Sequence, residues 1–217
     1  MNTLRHLLVQ RAARLQDRPA LSCKAWGTLD YSQLRNRVEG VALGLMVDAP
    51  PPETLYYVPS SDSGSPNGPW SWIAEVAVIA CGFVWSPQGN PIDSSVLGGP
   101  RFNDEEGRGP FHDRDHQITG SCLAVSGLSH KDILLRLQRE NEKRGWDHTT
   151  KLSLSCSDAT TASGRALLWN ALYAGSHVIL TEPELPSRFQ TFFSKNKPIP
   201  ASLENWGDFW IPNQDLG

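Results

Sequence analysis

Four stretches of the sequence hold residue types that do chemistry, close enough together to cooperate. His112-Asp113-Arg114-Asp115-His116 offers two imidazoles four residues apart and two carboxylates, a donor set for a divalent metal if the stretch were helical. Gly109-Pro110 breaks a helix there and Arg114 would crowd a cation, so a solvated polar loop without metal is the expectation. Cys122 and His130 have the types of a thiol nucleophile and its base. No orienting carboxylate or oxyanion motif accompanies them, and Cys122 lies in an apolar run, which predicts a buried structural thiol. Ser126-Gly127 lacks the G-x-S-x-G frame of a hydrolase elbow. Residues 158–164, Asp-Ala-Thr-Thr-Ala-Ser-Gly, lead into a helix whose free N–H groups could take an anion; capping by Thr161 or Ser163 is the simpler expectation. No residue is assigned a catalytic role.

The apolar pattern supplies the framework that must position these stretches. Leu4, Leu7, Leu8, Ala12 and Leu15 recur at spacings of three and four, predicting a helix capped by Asn2 or Thr3 and ended by Asp17-Arg18-Pro19. Strands at 20–23 and 28–31 flank a turn at Trp26-Gly27. Ser32 then caps a helix carrying Leu34, Val38, Val41, Ala42, Leu45 and Met46 on one face, stopped by Pro50-Pro51-Pro52. A buried strand at 54–58, a loop of turn formers at 60–69, an apolar helix at 70–81 ended by Gly82, and a strand at 83–86 follow. This order is the building unit of a parallel α/β sheet with crossover helices, so the fold class is α/β, a layered sheet. Beyond a stretch rich in Gly, Pro and charge, the pattern gives a strand at 122–125 and a helix from a Ser129 cap through Leu134, Leu137 and Glu140. A strand at 151–155, a helix at 162–174 stopped by Gly175, and a strand at 177–181 complete it. Trp70, Trp72 and Trp85 read as core or interface anchors. The expected organisation is a first α/β lobe over 1–97 and an exposed linker over 98–116. A second α/β segment over 117–195 packs on the same core, and 196–217 is an irregular tail.

Composition narrows the function classes. A chain of 217 residues, 39% hydrophobic and 20% charged, fits a globular protein with a real core. Its net charge of -3, with no basic patch interleaved with aromatics, predicts no attraction to nucleic acid or an anionic membrane. The longest apolar run, 76–85, is too short to span a bilayer and contains Gly82. Arg5, His6, Arg11 and Arg14 are spread among leucines without a small-residue cleavage site, which argues against a secretory signal. Cys23, Cys81, Cys122 and Cys156 form no C-x-x-C pair and read as reduced thiols of a cytoplasmic protein.

Three segments carry a resemblance. Arg18-Pro19-Ala20-Leu21 followed by Leu29-Asp30-Tyr31-Ser32-Gln33-Leu34 is the first. The run from Ala74 through Cys81-Gly82-Phe83-Val84-Trp85-Ser86-Pro87 is the second, and Trp169-Asn170-Ala171-Leu172-Tyr173-Ala174-Gly175-Ser176-His177-Val178-Ile179-Leu180 the third. Ser129-His130 before a helix is a weaker echo. In order and spacing they resemble the front part of the adenylate-forming superfamily: acyl-CoA synthetases, peptide-synthetase adenylation domains and luciferases. The resemblance implies an α/β sandwich subdomain, not a dinucleotide fold, and no G-x-G-x-x-G or G-K-[ST] is present.

That family holds ATP with a Ser/Thr/Gly-rich loop ending in Pro-Lys-Gly. Where the loop should lie, this chain reads Thr119, Gly120 and Ser121 followed by Cys122, then Leu123, Ala124 and Val125 in place of Pro-Lys-Gly. Losing the lysine removes a charge-assisted contact worth about 1.5–3 kcal/mol. The nearest cation, Lys131, lies past the helix cap and is expected to point along the helix. The family's adenine and Mg²⁺ motifs and its C-terminal domain are not found. The resemblance therefore implies a truncated homologue without adenylation activity or cofactor, a binding or partner subunit in acyl, polyketide or peptide metabolism. It would form a homo-oligomer or bind a protein partner, with an acyl or aryl acid as ligand. The alternatives are a split ligase half completed by another chain, or a small-molecule enzyme or binder with a remodelled cleft. Thr119, Gly120 and Ser121 are the remnant phosphate loop, and Ser129 and His130 are the cleft candidates.

Overall fold

The computed structural model describes residues 2–24, 27–59, 68–93, 117–181, 199–200 and 209–212. The expected linker of 98–116, with its His112–His116 stretch, lies outside the described residues, as do Trp26 of the expected turn, most of the expected loop of 60–69 and most of the expected tail.

Helix α1 spans Leu4–Leu15, with Thr3 accepting from the His6 N–H as N-cap, and buries Leu4, Leu7, Leu8 and Ala12. Strands β1 (Pro19–Cys23) and β2 (Gly27–Asp30) form the expected antiparallel hairpin. Helix α2 covers Tyr31–Met46, and its cap is Asp30, not Ser32. The reason is a reciprocal pair: Asp30 accepts from the Gln33 N–H at 2.7 Å, while Gln33 Oε1 accepts from the Asp30 N–H at 3.2 Å. Strand β3 (Leu55–Tyr57), helix α3 (Gly68–Ala80), strand β4 (Val84–Trp85) and strand β5 (Asn90–Pro91) follow. After the undescribed stretch come β6 (Leu123–Val125), β7 (Leu128–Ser129), α4 (His130–Arg144) and β8 (Lys151–Ser155). A 3-10 turn at Asp158–Thr160 leads into α5 (Ala162–Ala174), then β9 (His177–Thr181) and β10 (Ile199–Pro200). Thr161, not Ser163, caps α5 by accepting from the Gly164 N–H. Gly175 ends the helix at φ 83°, a left-handed value that favours glycine.

The strands make two sheets, ordered β10-β8-β9-β1-β2 and β5-β3-β4-β6-β7. Both the segment before the linker and the one after it contribute strands to each sheet, and one buried cluster joins α1, α2, α3, α4 and α5. Within each sheet all pairings are parallel except one terminal hairpin, β1–β2 in the first and β6–β7 in the second.

Those two hairpins are built alike. Each has a register irregularity and a glycine at φ 77° (Gly27, Gly127), and each runs straight into a helix closed by a capping box. The first helical residue is in both cases a buried polar ring bonded to distant backbone. Tyr31 Oη donates to Ser176 O at 2.8 Å, and His130 Nδ1 accepts from the Leu4 N–H at 3.3 Å. Leu29-Asp30-Tyr31-Ser32-Gln33-Leu34 and Leu128-Ser129-His130-Lys131-Asp132-Ile133 therefore do the same job at two sheet edges.

Candidate functional site

The loop that precedes β6 is folded upon itself. Cys122 N–H donates to Thr119 O at 3.2 Å, closing a turn, while Thr119 N–H reaches Cys122 Sγ at 3.4 Å. The hydroxyls of Thr119 and Ser121 lie 2.9 Å apart and bond to each other. The next donor, Leu123 N–H, is taken by the Glu53 carboxylate at 3.2 Å. Two expectations are corrected here. Cys122 is half-buried in the turn, donating to Gln117 O, because its thiol is what organises the Thr119 corner. Leu123 is 40% exposed, so the segment replacing Pro-Lys-Gly is not wholly interior, although Ala124 and Val125 are buried.

Helix α4 starts beside this loop, and its first amides are already spent. His130 N–H donates to Cys122 O at 3.1 Å, Lys131 N–H to Gly120 O at 2.8 Å, and Asp132 N–H to Ser129 Oγ at 3.2 Å. The loop thus meets the helix with carbonyl oxygens. Asp132 in turn accepts from Ser129 Oγ at 2.6 Å and Ser129 N–H at 3.0 Å, and these bonds hold its carboxyl below the usual carboxylate range. Helix N-termini attract anions through unpaired N–H groups and the helix dipole. Here Glu53 and Asp132 stand where such an anion would approach, and the donors are filled.

Ser129 is therefore an N-cap. His130 is fully buried, and its Nδ1 faces the Leu4 N–H. Since Nδ1 accepts, the neutral ring carries its proton on Nε2, which is buried without a partner. Burial, with a smaller contribution from His6, pushes the His130 pKa down to about 4. Cys122 and His130 meet through backbone only, which leaves the thiol without a base from that ring. Lys131 stands with Leu134, Leu135 and Gln138 on one face of α4, and together with Asn2, Gly120 and Tyr173 they wall an open groove of about 380 Å³. A Cβ on Gly120 would come within 2.9 Å of Asn2 O, so glycine lets the loop approach the start of α1.

A second polar cluster lies in the core, where no motif points to it. Glu75 of α3, wholly buried, faces Arg165 of α5, whose side chain is 17% exposed. Arg165 Nε donates to one carboxylate oxygen, and Nη2 donates to the other at 3.1 Å. Trp169 Nε1 adds a bond to Glu75 Oε1 at 2.9 Å. The Arg165 guanidinium lies 5.6 Å from the Trp85 ring centroid and 5.1 Å from that of Trp210. The signal available in the sequence is that Glu75 is the one charged residue of α3 and Arg165 the one charged residue of α5, with opposite signs. Trp72 and Trp85 are buried, as anchors should be.

Among the described residues no group of three or more His, Cys, Asp or Glu could hold a metal ion, and no helix is long and apolar enough to cross a membrane. Two mixed sheets around shared helices, with the β6–β7 hairpin running into the capped helix α4, define a known architecture. The chain has the fold of the N-terminal subdomain of acyl-adenylate-forming ligases. The N-terminal subdomain of NpsA from Klebsiella oxytoca, in complex with 3-hydroxyanthranilyl-AMSN, superposes at TM-score 0.62 with 16% identity over 86% of this chain and 55% of that one. A fatty acyl-adenylate ligase from Legionella pneumophila, with acyl adenylate and pyrophosphate, gives TM-score 0.60 and 15% identity over 83% of this chain and 40% of that one. A putative long-chain-fatty-acid CoA ligase from Rhodopseudomonas palustris gives 0.58 and 14%, over 82% and 57%. The chain thus spans between 40% and 57% of the length of these structures. No family model and no curated protein matches the sequence.

Proposed function

We propose that this chain is a homologue of the adenylate-forming ligases that does not adenylate by itself, and that it serves in the cytoplasm as a binding or partner subunit in acyl, polyketide or peptide metabolism. The observation that carries this reading is the closed state of the Thr119-Gly120-Ser121 loop. Its hydroxyls bond to each other, Gly120 O and Cys122 O cap α4, and Glu53 holds the Leu123 N–H. Triphosphate recognition needs convergent N–H donors and cations. To serve ATP this loop would have to break those bonds and bring phosphate toward two carboxylates. Lys131 in the groove wall supplies a single cation, which suits the carboxylate of an acyl or aryl acid better than a triphosphate.

Calorimetry with ATP–Mg²⁺ and carboxylate-dependent pyrophosphate exchange across fatty, aryl and amino acids test the proposal. No saturable binding in the millimolar range and no exchange are expected. Saturable ATP binding that disappears in Thr119→Ala/Ser121→Ala would overturn it. The partner role is tested by sedimentation and by recovery from the host, where self-association or a stoichiometric partner is expected. A stable monomer at high concentration with no partner would count against it. A split ligase is the second reading, favoured by the retained outer scaffold of two sheets. It predicts exchange activity on mixing with a separately encoded remainder.

A further inference from the structure

Trp72 of α3 is 4% exposed, and its indole Nε1 is buried without a hydrogen-bond partner among the described residues. Trp169 meets it edge-on, with ring centroids 6.3 Å apart, and has an acceptor in Glu75 Oε1 at 2.9 Å. Two indoles thus stand side by side in the core, one paired and one not. An indole N–H can only donate, and a buried donor left unpaired is costly, so the Trp72 N–H calls for an acceptor of its own.

Trp72 borders a cavity of about 10 Å³ where β1, β9, α2, α3 and α5 meet. Tyr31 and Ser176, each 1% exposed, share its wall, and the remaining lining is aliphatic. Both hydroxyls have already committed their protons. Tyr31 Oη donates to Ser176 O at 2.8 Å, and Ser176 Oγ donates to Asp147 O at 2.9 Å. Each hydroxyl oxygen keeps lone pairs that can accept. The wall therefore carries one unspent donor and two oxygens open to donors. Its occupant must accept once, donate twice and fill about one sphere of 1.4 Å radius. A bare anion has no proton for the hydroxyl oxygens, and a cation cannot accept from the indole. A molecule with a carbon skeleton is too large. Water meets all of these demands.

We propose that this cavity is the site of a single structural water, which accepts from Trp72 Nε1 and donates to Tyr31 Oη and Ser176 Oγ. Three bonds are the usual complement of a buried water. Tyr31 opens α2 at the end of the β1–β2 hairpin, and Ser176 stands just before β9, so their contact is the joint of that closure. The water extends this polar joint into α3, linking the two helices to the first sheet.

Water-selected NOE and ROE spectra of the full ¹⁵N-labelled chain, with the indole peaks assigned sequentially, test this. The Trp72 indole proton should show cross-peaks to water of opposite sign in the two experiments, the mark of a held molecule and not of proton exchange. The Trp169 indole proton, bonded to Glu75, should show neither. The Trp72 cross-peaks should persist in Tyr31→Phe and in Ser176→Ala, because the water keeps two of its three partners in each. A Trp72 indole proton without water cross-peaks in the wild type would overturn the proposal. So would their loss in either variant, which would trace them to that hydroxyl's own proton.

Discussion

Replacing Glu75 with leucine leaves Arg165, 17% exposed, facing an apolar side chain, and leaves the Trp169 indole N–H without its acceptor. Removing one partner of a buried ion pair costs about 3–5 kcal/mol, mostly because the surviving charge is left unneutralised. The partial exposure of Arg165 places its share near about 3 kcal/mol, since water reaches one edge of the guanidinium. The orphaned Trp169 N–H adds about 1–3 kcal/mol. For a chain of this size each kcal/mol lowers the melting temperature by about 2–4 °C, so a fall on the order of 10 °C is expected. Glu75→Leu/Arg165→Met should regain most of that loss, because a buried pair replaced by packed apolar groups is often neutral. Urea denaturation of the four proteins of this cycle gives the coupling directly. A loss under about 1 kcal/mol for Glu75→Leu, or a double variant as unstable as the single one, would refute the description of Glu75 and Arg165 as one buried unit.

Burial holds the His130 pKa near 4 in the folded chain, so between that value and the unfolded pKa of about 6.5 the unfolded state binds more protons. Stability should be flat above pH 6.5 and fall by about 3 kcal/mol as pH drops to 4, with His6 and His177, also lowered by burial, adding in the same direction. Denaturation midpoints of wild type and His130→Gln across this window check it; an equal slope in both would reassign the effect. Ser129→Ala should cost about 1 kcal/mol by removing the α4 cap, measured by thermal melting. Asn170 is fully buried in α5 with both amide atoms unpartnered, so Asn170→Leu should keep the fold and gain about 1–3 kcal/mol in the same assay. Gly164→Ala should lose about 3 kcal/mol, because its Cβ would stand 1.9 Å from Asp158 O, against backbone that cannot yield cheaply.

The helices and most strands were legible because each has a strong local signal. Thr161 and Gly175 bracket α5, and β8 and β9 alternate buried and half-buried residues as a one-sided sheet should. The α2 start shows where local rules compete: Asp30 and Ser32 are both good caps, and only the Gln33 reciprocal bond chooses between them. The loop of Thr119, Gly120 and Ser121 could be located, yet its state depends on Glu53 and the start of α1, far off in sequence. His130 was placed near the cleft by its neighbours, but the direction of its ring is set by the Leu4 amide. The Glu75–Arg165 pair spans ninety residues and obeys no periodicity, so only the folded chain brings it together.

The two matched hairpin-to-helix closures also bear on how the sheets can grow. Beyond β2 the first sheet has no further strand among the described residues, and at its other end β10 is two residues long. The second sheet ends in β7 and β5, each also two residues long. Such short borders offer only one or two main-chain rungs, too few to template an added strand, and they disfavour edge-to-edge polymerisation. β2, four residues long, is the longest border, and its last residue is already committed to capping a helix. Among the described residues, the surfaces open to a docking molecule are therefore side chains and helix faces, whose chemistry sets affinity, and not a long β-ladder edge.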